Sequence, residues 1–218
     1  MILRSIRQIA AAGAMAMSAA AGATPASAVT ITADNFNRAD SNTVGGGWRE
    51  SGSNPAAVAI LVNQLRLRAN QAVSPDAAVR QSGFSTIGLT NIVLTLDWLA
   101  LVPNEITDTL NIAWAIGNPG TFNPVSWTTV GTVGGLNSGG YTLGQSFALG
   151  AAAAGQAVIS IMLYSDVSTG GPGNTEGFLI DNVVLSGTAV IPLPGSMLLL
   201  LSGLVGLTAM GGRARKTA

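Results

Sequence analysis

The chain has 218 residues, with no cysteine, no histidine, and ten basic against ten acidic side chains. That length suits one domain plus targeting segments. The missing cysteines exclude a disulfide framework and thiolate chemistry, and the missing histidines remove the usual zinc ligand and the usual near-neutral general base.

The even charge balance hides an uneven distribution. Arg4 and Arg7 stand at the start, and Arg213, Arg215 and Lys216 at the end. All ten acids lie between Val29 and Val190, against five arginines (Arg38, Arg49, Arg66, Arg68 and Arg80), and no basic residue occurs from Gln81 to Gly212. A body of this sign repels phosphate backbones, so no nucleic-acid partner is expected.

In chain order, residues 1–28 read as a signal peptide. Arg4 and Arg7 form a positive n-region, Ile9 to Ala21 a small-residue apolar segment, and Ala26-Ser27-Ala28 a small-x-small cleavage pattern. Signal peptidase would then leave a mature chain starting at Val29.

Residues 29–189 read as one all-β domain. Short β-favouring runs recur: Val29–Ala33, Ala57–Val62, Gln64–Ala69, Asn91–Leu101, Thr109–Gly117, Ser126–Val133, Tyr141–Leu149, Ala157–Ser165 and Gly177–Gly187. In the fourth, Leu94, Leu96 and Trp98 alternate with Val93, Thr95, Asp97 and Leu99. In the last, Phe178, Ile180 and Asn182 are expected on one face, with Leu179, Asp181 and Val183 on the other. Ala148–Gln156 has room for one helical turn between two glycines. The loops are dense in Gly, Pro and Asn, which together with the strand spacing indicates a β-sandwich.

Residues 190–218 read as a membrane tail. Pro192 and Pro194 break structure, Ser196 to Met210 is an apolar run with glycines, and Arg213, Arg215 and Lys216 follow as a basic stop. Counted with its flanking glycines, the run has about 18 residues, enough to cross a thin hydrocarbon core as a transmembrane helix. The basic tip would stay cytoplasmic and the body outside.

The ending "VIPLPG…SMLLLLSGLVGLTAMGG…RARK" resembles the PEP-CTERM sorting signal of Gram-negative bacteria in its VPLPA style. Val190, Pro192, Leu193, Pro194 and Gly195 stand for its proline motif; Leu193 occupies the place of the namesake glutamate. The resemblance implies processing by an exosortase-type membrane protease and transient anchoring in the inner membrane. Delivery to the cell surface or outside would follow, in association with exopolysaccharide and biofilm. Within the body, "DNFNRADSNTVGGGW" is similar to the opening of concanavalin-like jelly rolls. "AAAAGQAVISIMLYSDVSTGGPGNTEGFLIDNVVLSG" is similar to the last two strands of MAM-like and galactose-binding-like ones. A jelly-roll-type sandwich is the fold this implies.

Two sites are expected. In related jelly rolls an acid of the final strand joins one from the first around a structural calcium, which makes Asp181 with Asp34 or Asp40 the candidates; oxygen ligands suit that ion. Trp127, following a loop with Asn118 and Asn123, is a candidate sugar-binding aromatic. Trp98 and Trp114 sit in apolar strands and are expected in the core. The leading reading is a non-catalytic, carbohydrate-associated protein of the envelope or extracellular matrix. The alternative is a polysaccharide-active hydrolase using acids among Glu105, Asp108, Glu176 and Asp181.

Overall fold

The computed structural model describes residues 27–51, 57–68, 77–102, 104–135, 139–167 and 176–191. The expected signal peptide up to residue 26, Pro192 to Gly195 of the expected sorting motif, the apolar run, and Arg213, Arg215 and Lys216 lie outside the described residues.

Among the described residues, eleven strands form two antiparallel sheets. They are β1 (Ala28–Asp34), β2 (Arg49–Glu50), β3 (Val58–Leu61), β4 (Gln64–Arg68), β5 (Ala77–Phe84), β6 (Leu89–Ala100), β7 (Thr109–Ile116), β8 (Thr128–Gly134), β9 (Thr142–Ala148), β10 (Ile159–Asp166) and β11 (Gly177–Ala189). One sheet runs β3-β4-β11-β6-β9, with β1 also paired to β11; the other runs β2-β5-β10-β7-β8. From β4 to β11 the chain changes sheet at every connection except β7–β8, a pair within one sheet, which is the double Greek-key order of a jelly roll. The expected helical turn is a 3-10 turn at Ala151–Ala153.

The strands form where apolar residues alternate. On β6, Ile92, Leu94, Leu96, Trp98 and Ala100 are buried in the core while the residues between them are half-exposed. Facing them, β10 supplies Ile159, Ile161 and Leu163, and β7 supplies Leu110, Ile112 and Trp114. Each such fully buried aliphatic or aromatic side chain contributes about 1.5–3 kcal/mol.

β11 organises the first sheet. Its first half pairs with β4 (Gly177↔Arg68 to Ile180↔Leu65), its second half with β1 (Val183↔Asp34 to Thr188↔Ala28), and its other edge with β6. The expected alternation along it fails at Asn182. That residue takes φ 50°, and the register with β6 shifts between Asp181 and Val184. A bulge of this kind turns the strand by one residue. Val183 therefore joins Phe178, Ile180 and Leu185 in the core instead of sharing the outer face with Leu179 and Asp181.

Strands β2 and β5 are not apparent from hydrophobic pattern. β5, "AAVRQSGF", mixes small and polar residues, yet its first four are all buried. The reason is that both of its faces are covered. Ala77 and Val79 enter the core between the sheets, and Ala78 joins a second apolar cluster on the outer face of the five-stranded sheet.

Candidate functional site

That outer face is floored by Ala78, Met162, Tyr164, Ala113 and Ala115, contributed in alternation by β5, β10 and β7. The β7–β8 connection folds back onto it. Asn123 caps a short 3-10 turn at Pro124–Ser126, its Oδ1 accepting from the Val125 N–H at 3.1 Å. The chain is thereby aimed so that Trp127 lands on the floor residues. Trp127 is only 8 % exposed, and its Nε1–H donates to the Thr121 carbonyl at 3.1 Å. The expectation that Trp127 offers its ring to a sugar is corrected here: the indole is held against the sheet, because the small side chains of Ala113 and Ala115 leave room for it. What the connection presents outward is half-buried Phe122, with exposed Asn118 and Asn123.

Arg80 on β5 ties this connection to the sheet. Its Nη1–H donates to Asn118 Oδ1 at 2.9 Å, and its guanidinium lies 5.2 Å from the centre of the Phe122 ring. Arg80 is 6 % exposed, and its Nε is buried with no hydrogen-bond partner. Arg49 on β2 stands opposite it in register. Burial first, and then the neighbouring Arg49 charge, hold the Arg80 guanidinium below the usual arginine range. The sequence signal was available: Arg80 is the last base before a stretch of more than a hundred residues without one. Its place beside Asn118 and Phe122 was not available, because it depends on the pairing of β5 with β10 and of β10 with β7.

The calcium candidates serve separate hydrogen-bond sets. Asp34 Oδ2 accepts from Arg38 Nη2 at 2.6 Å and from Trp48 Nε1 at 2.8 Å, while its Oδ1 accepts from the Phe36 N–H at 2.8 Å. Asp40 Oδ1 accepts from the Val62 N–H at 2.7 Å. Asp181 Oδ1 accepts from the Asn182 N–H at 2.7 Å. Asp181 pairs in register with Asp97 of β6, a neighbour that sequence reasoning placed on the outer face without linking the two. Asp97 in turn accepts from Gly144 N–H at 2.6 Å and from Asn182 Nδ2 at 2.8 Å. Burial raises the Asp181 carboxyl, the Asn182 N–H opposes this, and the Asp97 and Asp34 charges raise it further. Burial and the Asp181 and Asp97 charges push the nearby Tyr141 hydroxyl up to about 12. Among the described residues no three carboxylates are grouped to hold a metal ion. Asp34 thus already accepts three hydrogen bonds, from Arg38, Trp48 and the Phe36 N–H.

The acids of the hydrolase alternative divide. Glu105, Asp108 and Glu176 sense one another electrostatically where the β6–β7 connection meets the start of β11, whereas Asp181 lies on the outer face of the six-stranded sheet. Asp108 is fully buried and Glu176 is 4 % exposed. As placed, neither carboxyl is open to a polysaccharide chain.

Burial, and then the charges of Asp108 and Glu105, raise the Glu176 carboxyl above its ordinary value. A carboxyl raised by folding favours the native state while protonated, and that stability is lost as pH rises through the window between the ordinary and the raised values. Glu176→Gln is therefore expected to raise Tm by several degrees at pH 7. The gain should shrink on acidification and vanish below about pH 4, where the glutamate is protonated in both states. Thermal melts of the two proteins from pH 3 to 8 check this. A gain that does not change with pH would contradict the assignment.

No protein-family model matches the chain, and no curated protein matches it. Solved structures do. The K2 cleaved adhesin domain of Lys-gingipain is 9 % identical, with 72 % of this chain and 97 % of that one covered at a TM-score of 0.44. The CBM22-2 xylan-binding domain of Paenibacillus barcinonensis Xyn10C is 12 % identical, with 73 % and 99 % covered at 0.36. A CBM4 structure is 12 % identical, with 65 % and 78 % covered at 0.33. With overlaps this partial, the chemistry of this chain has to be read from its own residues.

Proposed function

We propose that the protein is an exported, non-catalytic β-sandwich that associates with polysaccharide in the envelope or extracellular matrix. Its signal peptide is removed by signal peptidase, and its PEP-CTERM-like tail is processed by an exosortase-type protease. The observation that carries the binding part is the juxtaposition on one sheet face of the Phe122 ring, the Asn118 and Asn123 amides and the Arg80 guanidinium. Aromatic surface beside amide groups suits the apolar face and hydroxyl rim of a sugar ring. The sorting part is supported by the order of the tail's three segments in the sequence. Val190 and Ala28 mark where the two targeting segments meet the body. They lie at one end of the sandwich: Ala189 N–H donates to the Ser27 carbonyl at 3.1 Å, and Val190 N–H to the Gly88 carbonyl at 2.9 Å.

Two measurements test this. Intact mass by cell fraction is expected to show loss of residues 1–28 and cleavage near Pro192–Pro194. A surface or extracellular species that keeps Arg213 to Lys216 would overturn the sorting reading. A glycan array probed with the full chain in neutral detergent is expected to show selective retention, weakened at least about tenfold by Phe122→Ala, a loss typical of an aromatic contact. Retention of no glycan would overturn the polysaccharide reading.

A further inference from the structure

The five-stranded sheet holds two guanidinium groups in register, Arg49 on β2 and Arg80 on β5, in a body where acids outnumber bases two to one. Like charges directly opposite each other on neighbouring strands destabilise a sheet. A buried charge normally has a counter-ion. Neither condition is met. Arg38 pairs with Asp34, and that ion pair lies elsewhere. Glu50, next to Arg49, spends Oε1 on the Val44 N–H. Arg80, 6 % exposed, has for partners an amide oxygen and an aromatic ring, with its Nε unmatched. An arginine cannot escape such a site by losing its proton. Arg49 is exposed. It brings a second fork of donors to the same spot from the solvent side.

On the polysaccharide reading given above, we propose that this face takes an acidic polysaccharide and that exposed Arg49, with the buried Arg80 charge behind it, receives the carboxylate of a uronic acid residue. A carboxylate is planar and accepts two parallel N–H bonds, which a guanidinium supplies in matching geometry. Phe122, at 5.2 Å from the Arg80 guanidinium, offers the apolar surface on which the same sugar ring can rest, and Asn118 and Asn123 offer amides to its hydroxyls. These groups favour a sugar acid over an acidic peptide, which has no ring to seat beside Phe122. Polymer charge also suits the pair: the ligand anion relieves the Arg49–Arg80 repulsion that the free protein carries.

The test uses the full chain in neutral detergent and three polymers: polygalacturonate, the same polymer with its carboxyls reduced to alcohols, and polyglutamate. Calorimetric titration is expected to show binding to polygalacturonate, at least tenfold weaker binding to the reduced polymer, and a further loss as salt is raised. Arg49→Gln, at an exposed position, should give a folded protein with Tm equal to or above the parent's and weaken polygalacturonate binding at least tenfold without altering binding to the reduced polymer. Arg80→Gln should do the same, and Arg49→Gln decides the matter if Arg80→Gln does not fold. Equal binding of both sugar polymers with no effect of Arg49→Gln would overturn carboxylate recognition while leaving the polysaccharide reading in place. Polyglutamate bound as tightly as polygalacturonate would overturn the sugar-acid assignment. Binding to none of the three would overturn the sugar-acid assignment, and a glycan array that retains nothing would overturn the polysaccharide reading as well.

Discussion

Replacing Gly177 by alanine is expected to abolish folding, or to cost more than about 4 kcal/mol, the range reserved for backbone strain and core overpacking. Gly177 opens β11 with φ 140°, a conformation that side chains disfavour. A Cβ added there would stand 2.1 Å from the Leu67 carbonyl oxygen and 2.8 Å from the Arg68 Cα. Both obstacles are backbone of β4, fixed by the register Gly177↔Arg68, so no side chain can swing away. The same residue anchors the β6–β7 connection. Its N–H donates to Asn104 Oδ1 at 2.6 Å, and its carbonyl accepts from Asn104 Nδ2 at 2.9 Å and from the Leu101 N–H at 2.9 Å. Asn104→Ala should therefore cost about 2–4 kcal/mol, because it leaves the buried Gly177 N–H unpaired and removes one of the two donors to the Gly177 carbonyl. Urea unfolding followed by circular dichroism measures both changes as a shift in midpoint at constant slope. A Gly177→Ala protein within 1 kcal/mol of the parent, on the scale of an ordinary surface substitution, would show that β4 and β11 can separate there.

Asp34→Ala is expected to cost about 2–4 kcal/mol, mostly through the acceptor it takes from Trp48 and Arg38. The ion pair alone is a small part of this. Arg38 and Asp34 are 30 % and 16 % exposed, and water screens a pair at that depth to about 1 kcal/mol or less. The larger part is the Trp48 N–H, which belongs to a ring 6 % exposed and packed 5.8 Å from the buried Phe36. Without the carboxylate that donor faces apolar surroundings. Asp34→Asn should cost less, about 1 kcal/mol, because an amide oxygen can still receive the N–H while the charge is lost. Trp48→Phe removes the donor together with part of a buried ring, and a double-mutant cycle with Asp34→Ala, in which the packing loss cancels, should show about 1 kcal/mol of coupling. Zero coupling, or equal costs for the alanine and asparagine variants, would mean that the knot is held by charge. Gly46 closes this knot at φ 60°; a Cβ there would sit 2.6 Å from Arg38 Nη1. The run "GGGW" is thus accounted for by the carboxylate it lets approach.

Much of the sandwich was legible in advance, because burial on one face imposes a period of two. Leu94, Leu96 and Trp98 of β6 and Leu65 and Leu67 of β4 could be assigned to the core from alternation alone, and all five are buried there. Trp114 could be placed there too, from the apolar character of its strand. β5 escaped because its burial has two unrelated sources, the opposite sheet and the folded-back connection, and neither leaves a period in "AAVRQSGF". Asn182 escaped because a bulge is a property of a strand pair.

The candidate sites divide along the same line. The identity of their groups was visible: Asn118, Asn123 and Trp127 could be picked out as a polar and aromatic cluster, and Asp34 as an acid opening a glycine-rich stretch. Their partners were not. The sequence by itself determined that the body is acidic and all-β and that basic and apolar runs flank it, since these follow from composition, from local periodicity and from the order of charged and apolar runs. Only the tertiary structure decided that Trp127 lies against the sheet while Phe122 meets Arg80, that Asp34 belongs to Trp48, and that Arg49 faces Arg80 without an acid between them. Those facts come from strand pairings that join residues tens of positions apart, and a pairing is chosen by the whole set of faces buried at once, which no local stretch of chain contains.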